Sequence, residues 1–295
     1  MKVFITGANG FLGQHLSIYM HNNKYEVYAV SRGENKIPDA KISYFNLELT
    51  NKELVIAMIT TIRPDVIIHT AAMSKPDECH LNRETCLLNN VTVTEYLLEA
   101  AKQVSARFIY ISTDFVFGEG GPHSELSVPD PLNFYGESKL MAENLVKNSG
   151  LHQNIVIPVF IYGALWEGLR PSFIHWVKKK LESKQSIKVV IDQHRTPTFV
   201  LDICKGIDLL IQNNTYESFH FAGSEMISPY DMAITVARIA KLDRSLIEPV
   251  TADLFPEMVR RAKKSGLLID KAINLLGYQP HKFEDGVKLS FAIKP

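Results

Sequence analysis

The sequence predicts an α/β protein, a doubly wound parallel sheet followed by a smaller mixed α/β lobe. Two observations carry that expectation. Through the first half, short β-branched or aromatic runs alternate with longer segments of helical period. The first of these runs also leads straight into a glycine-rich turn that opens a helix. Strict alternation implies parallel strands joined by right-handed helical crossovers, with helices on both faces of the sheet.

Strands are expected over residues 2–6, 25–31, 42–46, 66–70, 107–112 and 154–160, and helices over 11–21, 51–62, 82–105 and 134–148. After about residue 160 the rhythm gives way to mixed short elements punctuated by Pro171, Pro197, Gly223, Pro229, Pro249, Pro256, Gly266 and Pro280. The expected organisation is a first domain over 1–160, to which later chain near 190–222 returns, and a second lobe formed mainly by 161–295.

Composition narrows the classes of function. The 295 residues are 46% hydrophobic and 22% charged, as in an ordinary globular chain. Lys plus Arg equals Asp plus Glu at 32 each, so no overall field draws in nucleic acid or an anionic membrane. The run Lys178, Lys179 and Lys180 follows Phe173, Trp176 and Val177 at helical spacing, which makes it the wet face of a helix. Three cysteines, Cys79, Cys86 and Cys204, form no C-x-x-C pair, and the ten histidines are scattered. Reduced thiols and no metal site are expected. No apolar stretch approaches the ~18 residues of a membrane span. The first strand begins at Lys2, leaving no room for a cleavable leader. Residence in the cytoplasm is the expectation.

The turn after the first strand reads Thr6-Gly7-Ala8-Asn9-Gly10-Phe11-Leu12-Gly13, a G-x-x-G-x-x-G pattern. Its glycines let the backbone turn tightly and approach a pyrophosphate, and the helix start offers N–H groups and a positive dipole end. A tight turn without a ligand would use glycine too. Strand, turn and helix in this order at the head of an alternating chain favour a dinucleotide, and with it a Rossmann-type sheet. At the end of the second strand, Ser31 and Arg32 stand where a carboxylate would select NAD(H). Ser31 can hydrogen-bond a 2′-phosphate and Arg32 can grip it or stack on adenine, a reading favoured over that of Arg32 as an ordinary solvated side chain. NADP(H) is therefore preferred, with NAD(H) still admissible.

A second constellation follows. The run from Phe108 to Asp114 delivers Ser112, Thr113 and Asp114 to a C-terminal strand edge, where open α/β sheets bind ligands. Tyr135 and Lys139 then lie four residues apart on one helix face. A nearby cation favours the phenolate and brings its proton into the range useful for acid–base work. Y-x-x-x-K alone is common by chance; its order after the glycine turn and the Ser-Thr-Asp strand end is not.

These motifs together resemble the extended short-chain dehydrogenase/reductases, and within them the dTDP-4-dehydrorhamnose reductase family. The resemblance rests also on Arg63-Pro64-Asp65-Val66, Thr70-Ala71-Ala72, Asn90-Val91, Phe115-Val116-Phe117, Pro131-Leu132-Asn133, Tyr162-Gly163, Asp192-Gln193, Pro197-Thr198 and Arg260-Arg261 ahead of Ser265. It implies that Thr113 hydrogen-bonds a substrate carbonyl, that Tyr135 donates the proton, and that Lys139 binds the nicotinamide ribose and lowers the Tyr135 pKa. It implies cofactor contacts from Gly7, Asn9, Gly10, Phe11, Leu12, Gly13, Ser31, Arg32, Asn46, Leu47, Ala71, Ala72, Asn90, Ser112, Val159 and Phe160 beside Tyr135 and Lys139. Substrate contacts would come from Thr113, Asp114, Phe115, Arg195 and Arg261. The chain departs from the family at Ile157-Pro158, where Arg is usual, at Asn46, where an acid is common, and at Ala262, where Pro is usual.

The function implied is NADPH-dependent reduction of a 4-keto nucleotide-linked deoxysugar. The partners implied are that nucleotide-sugar substrate and, as an option left open, a second copy of the chain in a homodimer. Dehydratases of the superfamily carry an acid directly after the Thr-Asp pair, where this chain has Phe115, so dehydration is disfavoured while epimerisation stays open. The chain also resembles the regulatory β subunits of methionine adenosyltransferase, which share the reductase fold and bind NADP while serving a partner. Fold alone does not separate these roles.

Overall fold

The computed structural model describes residues 1–293. The chain begins β1 (Lys2–Thr6), α1 (Phe11–Asn22), β2 (Glu26–Ser31), β3 (Ser43–Asn46), α2 (Lys52–Ile62) and β4 (Val66–His69). It continues through α3 (Pro76–Leu81), α4 (Arg83–Leu87), α5 (Val93–Val104), β5 (Arg107–Ile111), α6 (Phe134–Lys147) and β6 (Gln153–Ile157). The second half holds β7 (Ile161–Tyr162), α7 (Phe173–Glu182), β8 (Ile187–Val190), β9 (Thr198–Phe199), α8 (Val200–Gln212) and β10 (Ser218–His220). It closes with α9 (Pro229–Ala240), β11 (Ile247–Val250), α10 (Asp270–Leu276) and α11 (Phe283–Ala292).

Seven strands form one parallel sheet in the order β10-β6-β5-β4-β1-β2-β3. Strand order reverses between β1 and β4, which opens a crevice at the carboxyl ends of those two strands. Strands β4 and β5 read Val-Ile-Ile-His and Arg-Phe-Ile-Tyr-Ile and are buried almost throughout, as expected of interior strands covered on both faces. The edge strand β3 is half exposed. Chain from the second half returns to this sheet: β10 pairs with β6, and Ile203, Cys204, Ile207 and Leu210 of α8 join the core around it. A second apolar cluster, including Ile174, Val177, Met232, Val236, Ile247 and Phe283, holds α7, α9, β8, β11 and the start of α11 together.

Three departures from the sequence expectation go beyond a shift of one residue, and each has a physical reason. The sixth strand stops at Ile157 instead of running to residue 160, because Pro158 offers no N–H to a ladder and Phe160 turns to φ +44°. The helix expected over 82–105 is interrupted by an i→i+5 turn at Leu88–Thr92 before α5 resumes, and Ser105 ends it in the left-handed conformation. The short helix α3 lies outside the expected elements, although Pro76 at its first position and Asp77 and Glu78 in its first turn suit a helix start. On α7, Ile174, Val177 and Leu181 face inward. Cys79, Cys86 and Cys204 are buried free thiols.

Candidate active site at the carboxyl edge of the sheet

The glycine turn forms the base of the crevice. Gly7 adopts φ +69°, and a Cβ there would lie 2.7 Å from the Ala71 backbone nitrogen. A Cβ on Gly13 would stand 2.2 Å from the Gly7 carbonyl. These positions admit glycine alone, and they bring the start of α1 against the ends of β1 and β4. No side chain caps that first helical turn, so its N–H groups and dipole end face the crevice.

A cleft of about 820 Å³ runs from this turn across the strand ends. Its walls include Gly7, Asn9, Gly10, Phe11, Leu12 and Gly13, then Ser31 and Arg32 after β2, Leu47 after β3, and Ala71 and Ala72 after β4. The size falls within the range of small-molecule sites, and an uncapped helix start lies in its wall, so these residues fit a dinucleotide. Among them Asn9 has a structural role: its amide donates to the carbonyls of Arg32 and Glu34 at 3.0 and 2.9 Å and accepts from the Lys36 N–H at 3.0 Å. Arg32 is 71% exposed at its side chain and stands 3.9 Å from Glu48, which also lines the cleft. So loose an ion pair contributes little and leaves Arg32 able to turn to another anion.

Several expected cofactor residues lie outside the lining of this cleft. Asn46 accepts from the Gly33 N–H at 2.9 Å and so braces the turn that carries Arg32. Asn90 is buried, and its amide holds the backbone of Met73, a cleft residue. Ser112 is buried and donates to Glu143 at 2.5 Å. The Val159 carbonyl accepts from the Thr198 hydroxyl at 2.6 Å, and the Phe160 ring packs edge-on against Phe173 with Arg195 over its face.

The second constellation is built by β5 and α6. A Cβ on Gly136 would come within 2.1 Å of the Phe115 carbonyl, so glycine there lets the first turn of α6 press against the loop that follows β5. Asn133 caps that helix by accepting from the Gly136 N–H and reaches across to the Arg260 carbonyl. Tyr135 is thereby buried beside Thr113 and meets Phe115 edge to face at 5.5 Å. Burial raises the Tyr135 phenol well above its ordinary range, opposed by the Thr113 hydroxyl and aided by the Asp114 charge. Lys139 donates to the Ile111 carbonyl at 2.8 Å and stands 4.1 Å over the Tyr110 ring. Burial lowers it to about 7, with Glu143 pulling the other way. The expected lowering of Tyr135 by Lys139 is therefore not seen here; desolvation governs both groups.

The Thr113 hydroxyl donates to Asp114 at 3.2 Å. Asp114 is pushed up to about 6 by burial, against the pull of Arg195, Ser265 and Thr113. It faces a narrow pocket shared with Phe115, Asn133, Arg195, Arg261 and Ser265. Thus all five expected substrate residues lie in or beside one pocket: Thr113 at its edge and the other four in its wall. Arg195 is only 9% exposed, donates Nη2 to Gln193 at 2.7 Å, and has no partner for Nε. Arg261 is held by Asp77, a residue with no motif around it to draw attention in the sequence. Glu48 in the cleft wall, Asn133 in the pocket wall and Asp77 on Arg261 are among the polar residues that sequence reasoning left unassigned to the site.

The sequence model of the family described as RmlD substrate binding domain matches residues 1–294. The chain belongs to that family. Among this family's curated relatives, a dTDP-4-dehydrorhamnose reductase from Aggregatibacter actinomycetemcomitans is 28% identical, over 97% of this chain and 97% of the relative. The methionine adenosyltransferase 2 subunit beta of Rattus norvegicus is 30% identical, over 98% of this chain and 86% of the relative. A solved dTDP-4-dehydrorhamnose reductase from Bacillus anthracis, in complex with NADP, superposes with a TM-score of 0.87 at 29% identity, covering 99% of this chain and 98% of that one. Among the described residues no helix is long and apolar enough to cross a membrane, and no group of three or more His, Cys, Asp or Glu side chains is placed to hold a metal ion.

Proposed function

We propose that this chain is an NADPH-dependent reductase of a 4-keto nucleotide-linked deoxysugar, in the manner of dTDP-4-dehydrorhamnose reductase. The observation that carries the reading is the buried set of Thr113, Tyr135 and Lys139, with Tyr135 against Thr113 and Thr113 next in the chain to Asp114 and Phe115 of the pocket that contains Arg195 and Arg261. The glycine turn, Ser31, Arg32, Leu47, Ala71 and Ala72 would hold NADPH, which when bound supplies the hydride.

The chain's own residues account for the rest. Thr113 orients the substrate carbonyl by a hydrogen bond from its hydroxyl. Burial keeps the proton on Tyr135 until an alkoxide develops, and an alkoxide is basic enough to take a proton from a phenol. The proton leaves the phenolic oxygen for the carbonyl oxygen, the carbonyl becomes an alcohol, and Tyr135 is left as a phenolate. Lys139, on the same helix face, would bind the nicotinamide ribose, and its lowered pKa lets it exchange protons near neutral pH. Arg195 and Arg261 offer guanidinium groups to the diphosphate of the nucleotide.

The experiment is a screen of purified protein with NADPH against dTDP- and UDP-linked 4-keto-6-deoxysugars, following NADPH absorbance and the product by NMR. Stoichiometric conversion of at least one to a 4-hydroxy sugar is expected. The similarity to methionine adenosyltransferase 2 subunit beta favours a second reading, in which the chain serves another enzyme as a subunit. Absence of turnover and of nucleotide-sugar binding, with a partner protein recovered from native cytosol, would replace the first reading by the second.

A further inference from the structure

Asp77 and Arg261 are 184 residues apart in the chain and meet at the Arg261 side of the Asp114 pocket, whose wall includes Arg261. Arg261 gives Nη2 to both carboxylate oxygens of Asp77, at 2.9 and 3.0 Å, and holds Nη1 3.4 Å from Glu257. Asp77 belongs to α3, packed on the nucleotide half, whereas Arg261 lies on the segment between β11 and α10. The contact therefore ties the two halves together.

The charges around this pocket do not suit an added anion. Arg195 and Arg261 are the two guanidinium groups, and Asp77, Asp114 and Glu257 are three carboxylates acting on them. Arg195, with its unpartnered Nε, is buried in the wall of the same pocket as Arg261. A diphosphate placed on both arginines would stack its charges on carboxylates that already overbalance them, in a pocket with little water to screen the repulsion. Of the three carboxylates, Asp114 is buried, whereas Asp77 is 46% exposed and so can swing into solvent at small cost.

We infer that Asp77 is an internal counter-ion which the ligand's diphosphate must displace from Arg261, and that it thereby sets the site's selectivity for diphosphate-linked sugars. The inference rests on the nucleotide-sugar reading above. A neutral sugar has nothing to exchange for the carboxylate, and a single negative charge gains no advantage over it. A diphosphate brings more charge and more acceptor oxygens than Asp77 withdraws.

The test is calorimetric titration of the full chain, loaded with NADPH at pH 8 and low salt, with dTDP and with UDP. Wild type, Asp77→Asn, Arg261→Ala and the double variant are compared. Asp77→Asn should bind the better of the two about three- to tenfold more tightly, the scale of one partly exposed ion pair, and the gain should vanish in the Arg261→Ala background. Equal or weaker binding by Asp77→Asn, the same gain without Arg261, or no binding of either nucleotide by any of the four proteins overturns the inference. Protein that shows the gain but reduces no 4-keto nucleotide sugar keeps the displacement and loses the reductase reading. Protein that reduces such a sugar but shows no gain does the reverse.

Discussion

The Asn90 carboxamide clasps the backbone of Met73 from both sides, accepting from its N–H at 2.8 Å and donating to its carbonyl at 3.1 Å. Met73 lines the dinucleotide-sized cleft, and Asn90 sits in the i→i+5 turn that interrupts the long helix beside it. The same amide nitrogen lies 3.0 Å from the Ser138 hydroxyl on α6. One buried side chain thus fixes the cleft wall to the helix that carries Tyr135.

Replacing Asn90 by Ala leaves the Met73 N–H and carbonyl without these partners. A loss of about 2–4 kcal/mol in unfolding free energy is expected in chemical denaturation, together with weaker NADPH binding. A variant as stable as wild type, with unchanged NADPH affinity, would show that the clasp has no such role.

Arg32 faces the cleft with only a loose 3.9 Å contact to Glu48. Binding titrations should show NADPH bound more tightly than NADH, and Arg32→Ala should narrow that gap by about 1–3 kcal/mol, the range of a charge-assisted hydrogen bond. Equal affinities for both dinucleotides in the unaltered protein would count against NADP(H) preference.

Asp114 gives a pH signature. Burial moves its folded pKa to about 6, above the ordinary value of 3.8, so the folded state holds the proton more strongly than the unfolded chain does. The stability this confers is complete below about pH 4 and is lost as pH rises through 6. Asp114→Asn carries no such proton. The variant should therefore gain on wild type by on the order of 3 kcal/mol between pH 4 and pH 7.5, read from denaturation curves. A difference between the two proteins that does not change with pH would refute the assignment.

Local chemistry made much of this legible. Alternating apolar runs and the glycines at 7, 10 and 13 announce the crevice, because only glycine fits where a Cβ would strike the Gly7 carbonyl or Ala71. Tyr135 and Lys139 declare themselves by helical spacing. Which way an amide points is another matter: Asn46 and Asn90, expected to touch the cofactor, lie outside the cleft lining and bind Gly33 and Met73. Those partners are fixed by tertiary packing, which no window of sequence contains. Helix α3 is only six residues long, too short to show a period, so Asp77 and its hold on Arg261 were invisible until the fold brought residues 184 apart together. The end of β6 was in principle legible, since Pro158 already forbids a continuing ladder.

Tyr135→Phe tests the central claim most directly, because it deletes one hydroxyl and keeps the ring that packs against Phe115. With a 4-keto nucleotide sugar and saturating NADPH, turnover should fall by about 10²–10⁴-fold while NADPH binding is retained. A Tyr135→Phe protein that reduces the sugar at the wild-type rate would contradict Tyr135 as the proton donor, and with it the reductase mechanism built on that residue.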